Sequence, residues 1–181
     1  GDPYTFCHTF PSKVENTTLI LNNENIVVDT NPDTVLSKVL RENSIFSAKN
    51  GCDKGFCGAC TVLLNNKPVP SCIVPMAIVK DSSIITLEYF CNTEDYNDIK
   101  QGFKAAGIDL CGYCNAGKIF EAYEIISKFE KPEKAFVSKQ VSHFPCNCTE
   151  TAVLVNGILM AANFRRKRLS ETQTGKEYGK R

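Results

Sequence analysis

Residues 51–60 read Gly-Cys-Asp-Lys-Gly-Phe-Cys-Gly-Ala-Cys, and a further cysteine follows twelve positions after the last of these. The order is therefore C-x4-C-x2-C with a lone fourth cysteine. With this spacing one tight loop brings three thiolates to a 2Fe-2S cluster, and a later segment supplies the fourth. The stretch predicts an iron-sulfur site, and its four expected ligands are Cys52, Cys57, Cys60 and Cys72.

The glycines of this stretch suit such a loop. Gly51, Gly55 and Gly58 permit backbone angles and close approaches that a side chain would block, so the amide groups can turn towards the sulfur atoms. Hydrogen bonds from those amides help to set the reduction potential. The competing interpretation is a zinc site with four cysteines. Zinc sites normally use two C-x2-C pairs, and the x4 gap and the lone fourth cysteine disfavour that arrangement.

The chain has ten cysteines among its 181 residues, which is many for an ordinary cytosolic protein. A disulfide framework and metal ligation both explain such a number. The spacing favours metal, because eight of the ten fall into two sets with short internal gaps, whereas long disulfide loops would spread them out. The other two, Cys7 and Cys91, are predicted to be free thiols of the kind that is usually buried.

The second set combines Cys-Gly-Tyr-Cys at 111–114 with Cys-Asn-Cys at 146–148, and 31 residues separate the two pairs. By itself this pattern suits zinc as well as a cluster, and His143 is an alternative zinc ligand. Both pairs precede predicted helices, and the free amides and positive dipole end of a helix stabilise an anionic cluster. The context therefore favours a second 2Fe-2S site. Its expected ligands are Cys111, Cys114, Cys146 and Cys148.

Hydrophobic periodicity divides the chain into two halves. The first half has short strand patterns joined by asparagine turns, with one helix capped near Asp33, and the second half has helical patterns broken by glycine and proline. Strands are predicted at 17–21, 26–29, 61–64, 67–69 and 84–87, and helices at 34–43, 96–106, 118–128, 138–143 and 149–164. The predicted fold is α+β, with domains at 1–90 and 91–165 and a basic tail at 166–181.

Composition and charge argue against several kinds of partner. The net charge of +1 gives no general attraction to nucleic acid, although residues 165–181 carry seven Lys or Arg against two Glu and are expected to be solvated. The most apolar segment, 152–162, is shorter than the roughly 20 residues of a membrane helix. No signal-peptide pattern opens the chain, so a reducing, cytoplasmic location is expected.

The order and spacing of these motifs resemble the iron-sulfur subunit, or N-terminal segment, of the molybdenum hydroxylase family, which includes xanthine dehydrogenases and aldehyde oxidoreductases. The resemblance runs from about residue 18 to 164 and rests on GCDKGFCGACTV at 51–62, Ser71-Cys72, 111–114 and 146–149. It implies a β-grasp, ferredoxin-like domain followed by a four-helix domain. It also implies that the helical-domain cluster lies next to the molybdopterin of a large catalytic subunit, while the other cluster leads towards a subunit that binds FAD.

The chain departs from the family pattern near the second site. The family usually has Gln before the first helical-domain cysteine, where it contacts the pterin, and this chain has Leu110. It usually has Thr-Pro after the C-x2-C pair and Arg between the last two cysteines, and this chain has Asn115-Ala116 and Asn147. The cysteines themselves are retained, so the resemblance still implies two clusters.

The expected function is electron transfer within a multi-subunit oxidoreductase that hydroxylates a purine, an aldehyde or an N-heterocycle. No dinucleotide fingerprint, P-loop or nucleophile with a supporting base is present, and the chain has only two histidines, so no catalytic residue is expected in it. Two alternatives remain open. One is a two-cluster relay for a non-molybdenum or flavin-based oxidoreductase, and the other is a structural module held together by its metals.

Overall fold

The computed structural model describes residues 14–113, 115–142 and 148–178 of the chain. Its first half is a mixed sheet of five strands in the order β2-β1-β5-β3-β4. The pair β1–β5 is parallel, and the other neighbouring strands are antiparallel. The strands are β1 (Glu15–Leu21), β2 (Glu24–Thr30), β3 (Thr61–Leu64), β4 (Lys67–Pro70) and β5 (Ser83–Ile85).

Two asparagine pairs form the hairpin turns, as the sequence predicts. Asn22 and Asn23 have φ angles of 52° and 69°, and Asn65 and Asn66 have φ angles of 49° and 64°. Two consecutive residues in the left-handed region give a turn whose twist matches that of the flanking strands, and asparagine tolerates this region better than most residues. The second hairpin matters for function, because it brings the end of β4 back beside the cysteine loop.

Helix α1 (Leu36–Glu42) begins later than predicted, and the expected cap at Asp33 is wrong. The residues before the helix are held in an extended conformation by the segment after β4. The amide of Leu36 donates to the Val74 carbonyl at 2.7 Å, and the amide of Met76 donates to the Thr34 carbonyl at 2.8 Å. Pairing between segments that are distant in sequence therefore decides where this helix starts.

The second half of the described chain is helical. It begins with a short helix that the sequence does not predict, and its last helix extends well beyond the predicted end at residue 164. The helices are α2 (Leu87–Phe90), α3 (Glu94–Ala105), α4 (Asn115–Lys128), α5 (Lys134–Val141) and α6 (Thr151–Tyr178). These elements confirm a mixed chain with a sheet part and a helical part.

Two apolar clusters form the interior, and β3 contributes to both. Val62 packs with α1 and the other strands, whereas its neighbour Leu63 packs against the helices. Successive side chains of a strand point to opposite faces, so this strand is buried on both sides. Helix α3 lies against α6 so closely that a Cβ atom on Gly102 would lie 2.4 Å from the Ala161 backbone nitrogen.

The start of the basic tail is packed, although the sequence predicts a solvated segment. Arg165 donates to Asp95 at 2.9 Å, and Arg168 donates to both Asp95 and Asp98 at 2.7 Å. The Asp98 side chain is only 4% exposed, so these bonds hold α6 to α3 in a partly desolvated position. Within the described ranges, no helix is both long enough and apolar enough to cross a membrane.

Candidate metal centres

The first cysteine loop lies between α1 and β3, and the hairpin that follows brings the fourth cysteine to it. Thr61 pairs with Pro70 at the open end of this hairpin, so Cys60 and Ser71 lie side by side. The Ser71 hydroxyl donates to the Cys60 carbonyl at 2.7 Å, and both groups are buried. Cys72 follows in a short 3-10 turn, Ser71–Ile73. The hairpin therefore returns the chain so that Cys72 lies close to Cys60 of the loop.

Backbone amides surround the Cys52 sulfur. The amides of Lys54, Phe56 and Cys57 donate to its Sγ at 3.5, 3.2 and 3.4 Å. Hydrogen bonds from the Lys54 and Cys57 amides lower the pKa of Cys52 to about 6, and they outweigh the opposing effect of burial. The loop is therefore built to stabilise a thiolate at this position.

The thiols of this site form two close pairs. After the backbone amides, the Cys57 side chain also helps to lower the pKa of Cys52, and Cys60 acts in the same pairwise way, but in the opposite direction, on Cys72. Burial raises the pKa of Cys72 to about 11, and the neighbouring Cys60 thiol adds to that increase, whereas the Gly55 amide opposes it. A positive ion between the sulfurs reverses this preference, because a coordinated thiol is deprotonated outright.

Two glycines leave the room that these contacts need. A Cβ atom on Gly51 would lie 2.5 Å from the Cys57 Sγ, well inside van der Waals contact. A Cβ atom on Gly55 would lie 2.9 Å from the Ile73 Cδ1, and Gly55 has a φ of +78° that disfavours other residues. A side chain at Gly51 would displace the Cys57 sulfur, and a side chain at Gly55 would be strained by its backbone conformation and would push the Ile73 side chain aside.

The arrangement fits a two-iron cluster. Each iron of a 2Fe-2S cluster held by four cysteines takes two thiolates, and the loop offers two thiol pairs with amide donors on one sulfur. In the described part of the chain, no three His, Cys, Asp or Glu side chains gather as ligands of one metal ion. The two pairs are thus the feature of this site that matches the predicted cofactor.

The second site is described in part. Cys111 and Cys148 are exposed, whereas Cys114, Cys146 and the alternative ligand His143 lie outside the described residues. Helix α4 begins at Asn115, three residues before the predicted start at 118, and α6 begins two residues after the predicted position, at Thr151. Both described cysteines thus lie just before the N-terminal end of a helix, where free amides and the helix dipole favour negative charge.

Asn115, which stands where the family usually has Thr, forms a hydrogen bond beside the second site. Its side-chain oxygen accepts a hydrogen bond from the Gly112 amide at 3.0 Å, and Gly112 has a φ of +85°. This bond ties Gly112 to the first residue of α4. Leu110, the other residue noted in the sequence, is partly buried against the helical core of the same chain.

Lys118 is the residue at this site that sequence reasoning misses. Its side chain is only 1% exposed, and its Nζ donates to the Cys148 Sγ at 3.3 Å and to the Thr149 hydroxyl at 3.0 Å. A lysine in a helical pattern normally indicates a solvated face. The sequence feature that could have indicated its burial is the apolar character of its neighbours, because Ala116, Ile119 and Phe120 of the same helix are all buried.

The two cysteine sites contact each other through hydrogen bonds and close packing. The Lys49 ammonium donates to the Gly112 carbonyl at 2.6 Å, and the Tyr113 hydroxyl donates to the Asn50 carbonyl at 2.6 Å. A Cβ atom on Gly117 would lie 2.8 Å from the Gly58 carbonyl oxygen. The first turn of α4 therefore rests on the backbone of the first cysteine loop.

Cys7 and Cys91 are the two cysteines that belong to neither predicted site. Cys91 is a free thiol that donates to the Glu88 carbonyl at 3.1 Å, but it is exposed and not buried as expected. It directly follows the short helix α2, which the sequence pattern does not predict. Cys7 lies outside the described residues.

Two protein-family models match the chain and together cover both halves. A 2Fe-2S iron-sulfur cluster binding domain matches residues 19–93, and a second 2Fe-2S binding domain matches residues 86–159. Among curated proteins, the small FeS subunit of nicotinate dehydrogenase from Eubacterium barkeri is 36% identical over 132 residues, which is 72% of this chain and 84% of that protein. The xanthine dehydrogenase iron-sulfur-binding subunit of Escherichia coli is 33% identical, covering 71% and 82%.

Solved structures give the same result for the fold. Quinoline 2-oxidoreductase from Pseudomonas putida superposes with a TM-score of 0.75 at 28% identity, covering 86% of this chain and 98% of that one. The aldehyde oxidoreductase from Desulfovibrio desulfuricans superposes with a TM-score of 0.75 at 32% identity, covering 84% of this chain and 17% of the much longer relative.

Proposed function

Because the chain belongs to the molybdenum hydroxylase family, as one of its iron-sulfur subunits, we propose that it connects a large molybdopterin-binding subunit to a subunit that binds FAD, or to another acceptor. Its role is electron transfer through 2Fe-2S clusters, and it has no catalytic residue of its own. The partner subunits and their cofactors are the part of the proposal that goes beyond the family itself.

The first cluster would be held by Cys52, Cys57, Cys60 and Cys72. The observation that carries this assignment is the set of three backbone amides aimed at the Cys52 sulfur, together with the hairpin that returns the chain from Cys60 to Ser71 and Cys72. The amides neutralise part of the negative charge on the sulfur, and the loop glycines keep side chains out of the space between the pairs.

The ligands of the second cluster are Cys111, Cys114, Cys146 and Cys148. Support comes from the two helix N-termini beside the described members and from the lysine hydrogen bond to the Cys148 sulfur. When bound, each cluster accepts and releases one electron at a time. The residues of the chain hold the two sites together through the contacts of Lys49, Tyr113 and Gly117, which keeps the path between them short.

The domain organisation follows from the same assignment. We place a β-grasp, ferredoxin-like domain at 1–90, a four-helix domain at 91–165 and a basic segment at 166–181. The sheet with its crossing helix supports the first domain, and α3 to α6 support the second. Phe90 marks the junction, because its ring packs on Tyr96, Phe120 and Tyr123 of the helical half.

Exposed apolar side chains beside the first cluster loop support a partner at that edge. Phe56 lies within the loop and is 67% exposed, and Ile73 next to Cys72 is 54% exposed. Apolar side chains grouped at one place on a surface are typical of a binding face. We assign this edge to the subunit that receives the electrons. The end of the helical half that carries Cys111 and Cys148 then faces the molybdenum subunit.

The substrate class follows from the relatives. Their names include nicotinate dehydrogenase, isoquinoline 1-oxidoreductase, xanthine dehydrogenase and aldehyde oxidoreductase. We therefore propose hydroxylation of an N-heterocycle, a purine or an aldehyde at the partner subunit. A cytoplasmic location suits the described cysteines, because a reducing compartment keeps thiols available as ligands.

Analysis of the natural assembly tests this proposal. The assembly that contains the chain is purified without oxygen, its molybdenum, iron and flavin are measured, and the reduction of its clusters by candidate N-heterocycles and aldehydes is followed in the visible spectrum. The proposal expects molybdenum together with about four irons per copy of the chain. Clusters that reduce in an assembly free of molybdenum would point to another oxidoreductase. Metals that never change oxidation state would point to a structural module.

A further inference from the structure

The two edges of the sheet differ in what they offer to another chain. Strand β2 forms one edge and β4 the other, and no described segment pairs with the outer side of either strand. An exposed edge presents unpaired amide and carbonyl groups, and proteins usually protect it with prolines, lysines, bulges or a short strand. Strand β4 has four residues, two of them proline, whereas β2 has seven residues and neither proline nor lysine.

The prolines of β4 stand at the positions that face away from the sheet. Strands β3 and β4 are joined by a two-residue turn, so the pair Leu64 and Lys67 that closes this turn exchanges backbone hydrogen bonds. The next residue of β4 that faces β3 is Val69, and the residues between face outwards, namely Pro68 and Pro70. Proline has no amide hydrogen, so the outward positions of β4 offer no donor to a second chain.

The outward positions of β2 keep their donors. The Ile20 amide of β1 is directed towards β5, where it donates to the Ser82 carbonyl at 2.9 Å. Its neighbour Leu19 is therefore directed towards β2, where it pairs with Ile26. Alternation along β2 then leaves three residues with outward amide and carbonyl groups, namely Asn25, Val27 and Asp29.

We propose that β2 pairs in the antiparallel direction with β2 of a second copy of this chain, about a two-fold axis at Val27. In this register Val27 meets Val27 of the second copy, and Asn25 meets Asp29. Each of these pairs exchanges two backbone hydrogen bonds. A shift of one residue would set outward groups against inward ones, and a shift of two would leave the strand ends unpaired. The contact is isologous, so it closes after two copies.

The charges of β2 suit this self-pairing. The strand carries two carboxylates, Glu24 and Asp29, and like charges that face each other across two strands are destabilising. About the axis at Val27, each Asp29 carboxylate faces the amide side chain of Asn25, and each Glu24 faces Thr30. No two carboxylates are therefore directly opposed.

The apolar side chains of β2 also meet suitable partners. Val27 is 65% exposed, and the two-fold axis brings two copies of it together. On the other face, Ile26 and Val28 are partly buried against the core that includes α1. Pairing places Ile26 opposite Val28 of the second copy, where side chains of a non-hydrogen-bonded pair come close. The apolar face of one sheet then continues into that of the other.

The β2 edge lies apart from the faces assigned to other subunits. Three strands separate β2 from β4, and it is β4 that leads directly into the turn with Cys72. Pairing through β2 therefore leaves the first cluster loop and its exposed apolar side chains free for a partner. The inference goes beyond the proposed function, because it joins two copies of the chain without using either cysteine site.

The test measures self-association of the full chain with its clusters, prepared without oxygen, by sedimentation velocity over a range of concentrations. Hydrogen exchange of the β2 amides is followed in the same samples. We expect a dimer that forms as the concentration rises, together with slower exchange in β2. Val27→Pro removes the outward donor at the axis and leaves the pairing of β2 with β1 unchanged, so it should abolish the dimer.

Two further variants test the register by charge alone. Asn25→Asp places a carboxylate opposite Asp29 of the second copy, and we expect it to raise the Kd of the dimer about tenfold. The double variant Asn25→Asp with Asp29→Asn again sets one carboxylate opposite one amide, so its Kd should return close to that of the wild type. Both changes are at exposed positions, so they decide the matter even if Val27→Pro does not fold.

Several results would overturn the inference. A wild-type chain that is still monomeric at about 0.1 mM has no such contact of useful strength. A dimer that persists in folded Val27→Pro, or equal Kd values for Asn25→Asp and the double variant, would assign the contact to another surface. Slow β2 exchange that does not depend on concentration would place another segment of the same chain on this edge. Slow β2 exchange in a natural assembly with a single copy of the chain would place a different subunit there.

Discussion

At the first cysteine site the described donors to sulfur are main-chain amides, whereas at the second the donor is a buried lysine side chain. The first site needs only a loop of ten residues and the hairpin that follows it. The second needs two helix ends that lie more than thirty residues apart in sequence and a lysine from the first of these helices. One site is therefore local, and the other depends on the packing of the helical half.

This difference affects the stability of each site and the degree to which side-chain replacements change its cluster. A local loop stabilises charge with backbone amides, which every residue except proline possesses, so its properties should change little when side chains other than its glycines and cysteines are replaced. A site assembled by packing depends on particular side chains, and single replacements there should change both the cluster and the helices around it.

The largest expected effect comes from removing one ligand at each site. Cys57→Ser should abolish the first EPR signal, halve the iron content and leave the second signal intact, because the two ligand sets are separate. Cys111→Ser should abolish the second signal and also loosen the start of α4, which hydrogen exchange of the α4 amides would report. Simultaneous loss of both signals in a folded Cys57→Ser protein would contradict two independent sites.

A smaller effect is expected where the two sites touch. Alanine is favoured over glycine in a helix by about 1 kcal/mol, but a Cβ on Gly117 would lie 2.8 Å from the Gly58 carbonyl oxygen. We expect Gly117→Ala to lower the free energy of unfolding by about 1–3 kcal/mol and to alter both EPR signals. The measurements are urea unfolding and EPR of the chain with its clusters.

Gly107→Ala is the matched control for that change. Gly107 has a φ of +72°, and a Cβ atom added to it would meet no other described residue within 4 Å beyond its two chain neighbours. The control should lose about 1 kcal/mol from backbone strain and leave both EPR spectra unchanged. Equal EPR spectra for Gly117→Ala and wild type would show that the contact between Gly117 and Gly58 does not fix the position of one cysteine site relative to the other.

The smallest expected effect concerns the loop that precedes the first site. Glu88 accepts hydrogen bonds from the Phe46 amide at 2.9 Å and the Ser47 amide at 2.7 Å, and from the Ser47 hydroxyl. Burial raises the pKa of Glu88, but the hydrogen bonds from Ser47 outweigh it and hold that pKa below its usual value. The resulting stabilisation is complete above the ordinary glutamate pKa of about 4.3 and is lost as the pH falls through the lower folded pKa.

Glu88→Gln should therefore reduce the free energy of unfolding by less than about 1 kcal/mol at neutral pH, since the group is largely exposed. It should also flatten the loss of stability on acidification, measured by urea unfolding from pH 7 down to about pH 2, because the loss occurs below the ordinary glutamate pKa. Glu124→Gln is the control, because Glu124 pairs only with Lys128 on a helix surface in the described contacts. An identical acid dependence in both variants would rule out the role given to Glu88.

Much of this organisation is predictable from the sequence, and the exceptions share a physical cause. The asparagine turns and the four cysteines of the first site follow from local spacing. The start of α1 does not, because Val74 and Met76 pair with the residues before it from a distance. Lys118 is missed for a related reason, since burial of a lysine depends on what the neighbouring segment places beside it.

The most direct test of two separate cluster sites is the metal content and reduced-state EPR spectrum of the full chain, prepared without oxygen. We predict about four irons per chain and two distinct 2Fe-2S signals. Zinc as the dominant metal, or a single iron-sulfur signal from the intact chain, would contradict the two-cluster assignment.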